Sequence, residues 1–450
     1  MLRDKKLNLF IILAIILLPF NDLPYLRKVF GEISSEGAFY PLLIGMLIFY
    51  LKIISNKKIT FINSKSFKII FIFLIWTLIS AIFNLNNILD NVYKNRTGVE
   101  RFILSLFILI FCILVSNFIY LMLNKYKTDM FYIRKIITIS FIIPGIYAFI
   151  EILRLGFRID YISNYMDFIG EIIRGKEWGF SQYYKLRSVS GEASWYSMYI
   201  AFIFPWTLSY VFTEKHNLKY ILLNIYILLT IAYTYSRTGY IVIAIEFIIF
   251  NVLYLKQHSK SIYKKIYATH SIILISIFII ILVIYKLDLS NNLISLLDKN
   301  NISNITRFTS QKISLDLGIN NFVFGVGLGQ YAFYFKDIIK NYPINDELYT
   351  VLISNIWPAT HNIYCRIFCE LGIIGLVIWG YIWINLLKNI IDILKKSDNI
   401  NNIILIVCSI GVLLSGCNKD SFSYLEYWIL IGICNFYIKK QKYQKNGGNK

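Results

Sequence analysis

Three short segments of this 450-residue chain carry residue types suited to moving a charged group and a proton. Tyr235-Ser236-Arg237-Thr238-Gly239-Tyr240 sets an arginine among hydroxyls and a glycine. A planar guanidinium binds phosphate or carboxylate through paired hydrogen bonds and keeps its charge in a dry site. Lys185 to Trp195 adds Arg187, the hydroxyls of Ser188, Ser190 and Ser194, and the carboxylate of Glu192. Thr360-His361-Asn362-Ile363-Tyr364-Cys365-Arg366 supplies a histidine, the side chain whose ordinary pKa suits general-base work near neutrality. Two arginines for an anion and one histidine for a proton suggest transfer from a phosphate-bearing donor. The arginines would stabilise charge on the leaving phosphate while a hydroxyl attacks and His361 takes its proton.

Each segment also has a plain structural reading. Arg237 could reach lipid headgroups from a helix end, and Glu192 and Ser194 could serve only to start a helix. Arg366 and Glu370, four apart on one helical face, read as an ion pair. A lone histidine is often a hydrogen-bonded structural residue.

These segments are positioned by apolar elements. Hydrophobic residues make up 57% of the chain and charged ones 16%, which excludes a soluble fold of this size. Crossing a bilayer takes roughly 20 apolar residues, and about twelve stretches qualify on that measure. They lie near 7 to 24, 38 to 55, 67 to 85, 102 to 123, 133 to 154, 195 to 212, 218 to 235, 238 to 256, 268 to 286, 362 to 388, 401 to 417 and 423 to 438. Being continuously apolar rather than alternating, they are helices. The fold class expected is all-α, a polytopic membrane protein forming one domain over 1–450. The first stretch follows a basic start but lacks a small-residue cleavage site, so it is read as a retained helix.

Lysine clusters at Lys52, Lys57, Lys58, Lys65 and Lys68, at Lys125, Lys127 and Lys135, at Lys256, Lys260, Lys264 and Lys265, and at Lys439 to Lys445 put both termini in the cytoplasm. The net charge of +20 is then mainly a topology signal with attraction to anionic membrane lipids, and no nucleic-acid partner is expected. Arginine distributes differently: only Arg3 and Arg134 fall on the cytoplasmic side, whereas Arg27, Arg96, Arg101, Arg154, Arg158, Arg174, Arg187, Arg237 and Arg307 fall outside. Anion binding explains such a set; compensation of external acids such as Asp160, Asp167, Glu171 and Glu177 is the alternative. With His216, His258 and His270 on the cytoplasmic side, His361 is the single external histidine.

Two external segments, 155–194 and 287–361, exceed what a connector needs. The second carries Gly325-Val326-Gly327-Leu328-Gly329, which lacks the lysine and the βαβ setting of a nucleotide loop; its glycines allow tight turns or close approach to a ligand. Asn-x-Ser/Thr triplets at Asn95, Asn301 and Asn304 are expected by chance in so asparagine-rich a chain. The six cysteines read as packed thiols, and no acidic cluster has metal-site spacing, so neither metal nor cofactor is expected.

The Ser236-Arg237-Thr238-Gly239 turn, the glycine run and His361-Asn362-Ile363-Tyr364 through Glu370-Leu371-Gly372, in this order over 180–390, resemble the O-antigen polymerase and O-antigen ligase superfamily. The resemblance implies a membrane glycosyltransferase of the C type, working at the external face of the bacterial inner membrane on undecaprenyl-diphosphate-linked oligosaccharide. It implies that Arg187 and Arg237 hold the donor diphosphate and that His361 activates the acceptor hydroxyl, with Arg307, Glu192, Ser236 and Tyr364 as substrate-binding residues. Glu192-Ala193-Ser194 stands where polymerases often carry Glu-Pro-Ser and favours a polymerase of O-antigen or capsule repeats over a ligase, the missing proline being a departure. A chain-length regulator and a flippase are the protein partners implied. A lipid-linked oligosaccharide flippase is the rival from another class, although its cations should line a path open to both faces.

Overall fold

The computed structural model describes residues 2–55, 64–157, 160–174, 185–257 and 302–447. The span expected at 268 to 286 lies outside them, as do Lys57, Lys58, Arg158, Glu177, His258, Lys260, Lys264, Lys265, His270, Asn301 and the start of the second long segment. The described helices are α1 (Leu2–Ile16), α2 (Arg27–Phe30), α3 (Phe39–Ser55), α4 (Lys65–Phe83), α5 (Leu85–Asp90), α6 (Gly98–Lys125), α7 (Met130–Ser140), α8 (Ile142–Phe157) and α9 (Ser163–Arg174). They continue with α10 (Ala193–Thr213), α11 (Leu218–Thr234), α12 (Arg237–Gln257), α13 (Ile302–Asn320), α14 (Tyr331–Ile338), α15 (Asp346–Ile353), α16 (Ile363–Leu394), α17 (Ile400–Ser415) and α18 (Leu425–Gly447). The protein is an all-α polytopic membrane protein. Five helical stretches, Lys65–Phe83, Gly98–Lys125, Met130–Leu155, Arg237–Gln257 and Ile363–Leu394, are long and apolar enough to cross a bilayer, and α11 and α17 are shorter apolar helices.

Helix α10 is buried almost all round from Tyr196 to Phe212, and α18 likewise from Leu425 to Phe436, so both are central. Outer helices present Phe71, Ile75, Ile103, Phe107, Ile146, Phe149, Ile248 and Val252 to the surroundings, an apolar girdle that lipid would cover.

Several expected spans are reshaped by backbone chemistry. The first stops at Ile16, because the residue before Pro19 disfavours helical backbone. The freed segment docks another loop: the Pro19 carbonyl accepts from Ser190 Oγ at 2.7 Å and Asn21 Oδ1 from the Gly191 amide at 3.0 Å. The span expected at 133 to 154 is two helices meeting at Phe141, since Pro144 has no N–H to give the Ser140 carbonyl. The segment 155–194 is not mere loop: α9 is amphipathic and exposes Tyr165, Phe168 and Ile172.

The break in α16 organises the site. Gly372 has φ +68° and ψ −174°, a conformation costly for any residue with a Cβ. The carbonyls of Cys369 and Glu370 therefore lose their helical partners and accept instead from the amides of Val326 at 3.0 Å and Gly327 at 2.9 Å, while the Ile373 amide donates to Phe322 O at 2.8 Å. The glycine run is thus a clasp on a broken helix. At Gly325, with φ +67°, a Cβ would meet the Glu370 backbone.

Candidate active site

Helix α6 begins with a reciprocal cap: Thr97 Oγ1 accepts from the Glu100 amide at 3.2 Å, and Glu100 Oε2 from the Thr97 amide at 3.0 Å. A two-stranded hairpin precedes it, β1 (Val92–Tyr93) and β2 (Arg96–Thr97), turning through Lys94 and Asn95, both with positive φ. This start delivers Arg101 to a cavity of about 450 Å³. Asn362 caps α16 by accepting from the amides of Tyr364 at 2.9 Å and Cys365 at 3.3 Å, which places His361 on the cavity wall. Arg307, Glu192, Arg101, Arg366 and Lys419 line the same cavity, together with Trp195, Tyr331 and Trp357.

His361 has φ +55°. The αL conformation is sustained by Asp420, whose Oδ2 accepts from the Thr360 amide at 2.6 Å, Thr360 Oγ1 at 3.0 Å and the His361 amide at 3.2 Å. Burial lowers the His361 pKa below the usual imidazole value, with Asp420 opposing and Arg307 reinforcing the effect. A lowered value favours the neutral imidazole, the form that can accept a proton.

Arg307 donates to Asn418 Oδ1 at 2.7 Å, and among the described residues no carboxylate pairs with it. Arg237 donates to Asn304 Oδ1 at 3.0 Å. Asn304 and Arg307 are three apart on α13, so the two guanidiniums sit around one helical face. Lys185 feels both arginines and Glu192, which extends the cationic neighbourhood to the loop before α10. Below it the cavity is built of ion pairs. Arg366 Nε lies 3.2 Å from Glu370 Oε2, as the four-residue spacing predicts, and Arg366 Nη1 donates to Asp420 O at 2.6 Å. Arg101 contacts Glu32 at 3.5 Å and lies over the Trp357 ring at 4.6 Å. Burial opposes ionisation of Glu32, yet Arg366, Arg101 and the Ser421 hydroxyl outweigh it and hold its pKa at about 2. Lys419 pairs with Glu36 at 2.9 Å; burial disfavours the ammonium, but the surrounding glutamates prevail and raise its pKa.

The expected site residues divide. His361, Arg307 and Glu192 line one cavity; Arg237 does not line it but bonds Asn304, three residues before Arg307 on α13. Arg187 is buried behind the cavity: its amide and that of Ser188 donate to Glu151 Oε2 at 3.2 and 2.7 Å, and its Nη1 donates to Gly191 O at 3.3 Å. Ser236 is buried against Ser197 at 3.0 Å and accepts from the Gly239 amide at 3.3 Å, a helix-start role. The Tyr364 hydroxyl donates to Leu413 O at 2.6 Å, joining α16 to α17. Glu192 stands at the N-cap of α10 without a side-chain cap bond, accepting from Ser194 Oγ at 3.0 Å. Arg174 also turns inward, donating to the Tyr147 hydroxyl at 3.0 Å beside Glu151. For Arg174 and Arg187, both expected outside, the neighbouring acid is Glu151, inside the fifth expected span.

Residues 222–380 match the O-antigen ligase family. The match runs from α11 through Arg237, Arg307 and His361 into α16; Arg187 and Asp420 lie outside it. It supports the superfamily of O-antigen ligases and polymerases, enzymes of glycosyl transfer, without separating the two. No curated protein matches the chain.

Asp420, Lys419, Glu32 and Glu36 were missed by the sequence reading. Their signal is faint but present: charged residues crowded into two short links, 21–38 and 416–424, between apolar runs that need only a polar turn.

Proposed function

We propose that this protein polymerises lipid-linked oligosaccharide repeats at the external face of the inner membrane. The observation that carries the reading is His361 on the wall of a cavity that Arg307 also lines, its backbone held by Asp420, with Arg237 bonded to Asn304 one helical turn from Arg307. The donor diphosphate lies against Arg237 and Arg307, which stabilise the negative charge left as the sugar C1–O bond to the phosphate breaks. The acceptor hydroxyl of a second lipid-linked repeat enters the cavity, gives its proton to His361 and forms the new C1–O bond; the undecaprenyl diphosphate departs. Carboxylates and the rings of Trp195, Trp357 and Tyr331 suit a sugar, which offers hydroxyls at its edge and C–H groups on its faces. Arg187 acts from behind, fixing the loop that carries Glu192. Glu192 at the cavity favours the polymerase branch; transfer of finished glycan to a lipid A core is the alternative within the superfamily.

Purified protein with synthetic lipid-linked repeats tests the reading: wild type yields polymer, and His361→Ala and Arg307→Ala, inserted and folded, do not. Polymer from either variant at the wild-type rate overturns it. A deletion strain separates the branches. Surface glycan of one repeat supports the polymerase, whereas accumulated long lipid-linked polymer supports the ligase.

A further inference from the structure

A second polar space, of about 1110 Å³, lies at the end of the bundle opposite His361. Its origin is geometric. Helices α16 and α18 are joined by the rings of Trp379, Trp383, Tyr427 and Trp428, with α4 packed along α16 and α6 along α18. Beyond that aromatic cluster the ends of these helices enclose a gap lined by Ser66, Asn385, Asn389 and Asn435 among others.

Four ammonium groups border the gap: Lys65 from α4, Lys388 from α16, and Lys439 and Lys442 from α18. Lys65 lies over the Tyr381 ring at 5.4 Å and Lys439 over the Tyr120 ring at 5.3 Å. Lys388 and Lys442 make no ion pair, hydrogen bond or ring contact among the described residues. The single carboxylate in the lining, Asp392, is turned to Lys395 on its own helix, 4.0 Å away. The amides there are satisfied locally, Asn385 donating to Ser66 Oγ at 2.8 Å and Asn435 to Ile431 O at 2.9 Å. Among the described residues the gap therefore holds an excess of positive charge. Its outer wall is apolar and includes Ile384, which is 61% exposed on the girdle that lipid would cover.

We infer that this gap binds an anionic phospholipid of the adjacent leaflet, the phosphate among Lys388, Lys442, Lys439 and Lys65 and the acyl chains along Ile384. Lysines reaching toward headgroups independently would account for charge at a helix end, but not for cations from three helices facing one shared space. Basic pockets between spanning helices on the lysine-rich side are suited to anionic headgroups. The bound lipid fills the gap between the ends of α16 and α18 and so steadies the helix that follows His361.

The test uses the purified, delipidated full-length protein, with phosphatidylglycerol, phosphatidylcholine and inorganic phosphate added separately, read by native mass spectrometry and thermal unfolding. Phosphatidylglycerol is expected to bind and raise the unfolding midpoint, the other two to leave it unchanged. Lys388→Gln with Lys442→Gln is expected to weaken phosphatidylglycerol roughly tenfold. Lys388→Arg with Lys442→Arg should restore it, and Lys215→Gln with Lys396→Gln, equal in charge on the same face, should have no effect. Equal binding of the two lipids, inorganic phosphate matching phosphatidylglycerol, or wild-type affinity in the Lys388/Lys442 glutamine variant overturns the inference. None of these readouts depends on the polymerase proposal.

Discussion

At the scale of single residues, the proposed transfer depends on the charge state of His361. A base must be unprotonated, so the rate should rise with pH and level off above the His361 pKa, which burial and Arg307 hold below the ordinary imidazole value. Because Asp420 raises that pKa and Arg307 lowers it, the two neighbours make opposite predictions. Arg307→Gln moves the inflection of residual activity upward and Asp420→Asn moves it downward. A pH–rate profile of the three proteins checks this, and shifts in the same direction would exclude His361 as the titrating base. Arg187 belongs to a different class. Its removal takes a positive charge from beside the buried Glu151 and the side-chain bond to Gly191 O, while the backbone amides on Glu151 stay, so Arg187→Ala should lower the thermal midpoint together with activity, whereas Arg307→Ala should lower activity alone. Parallel thermal unfolding and turnover measurements distinguish them.

Among the elements, α16 is the one whose irregularity matters. Its outer turns carry Arg366 and Glu370 into the cavity and its inner half spans the bundle, with Gly372 and the glycine run closing the break between them. Gly372→Ala forces a Cβ into an extended positive-φ conformation that glycine alone adopts readily and against the Val323 carbonyl, a cost of about 1–3 kcal/mol from the backbone alone before the clash is counted. The expected outcome is a lower unfolding midpoint with loss of activity, while Gly380→Ala, in open space on the same helix, is neutral in both. If the two alanine variants unfold at the same temperature, the clasp is not what holds the break. The glycine motif was legible in the sequence as a place of tight turning. Its partner was not: the contact depends on carbonyls that become free only when a helix some forty residues later breaks.

For the whole molecule, the links 21–38 and 416–424 bring the two ends of the chain together under the cavity, and the Glu36–Lys419 pair ties them. Lys419→Met should cost about 3–5 kcal/mol by leaving a buried carboxylate alone. The double change Glu36→Gln with Lys419→Met should recover much of that, which a double-mutant cycle in thermal unfolding measures; a single variant as stable as wild type would show the pair to be dispensable. Hydrophobic runs alone determined that the chain is helical and lies in a membrane, because no other arrangement satisfies the backbone in hydrocarbon. Residue type determined that His361, Arg237 and Arg307 could serve phosphate and proton chemistry. Only tertiary structure decided which cations share a cavity. Arg187 and Arg237 look alike in sequence, but one faces the buried Glu151 and the other flanks α13. Asp420 becomes the support of His361 only because α16 and α18 pack side by side. Such choices rest on contacts between residues far apart in the chain, which local spacing does not encode.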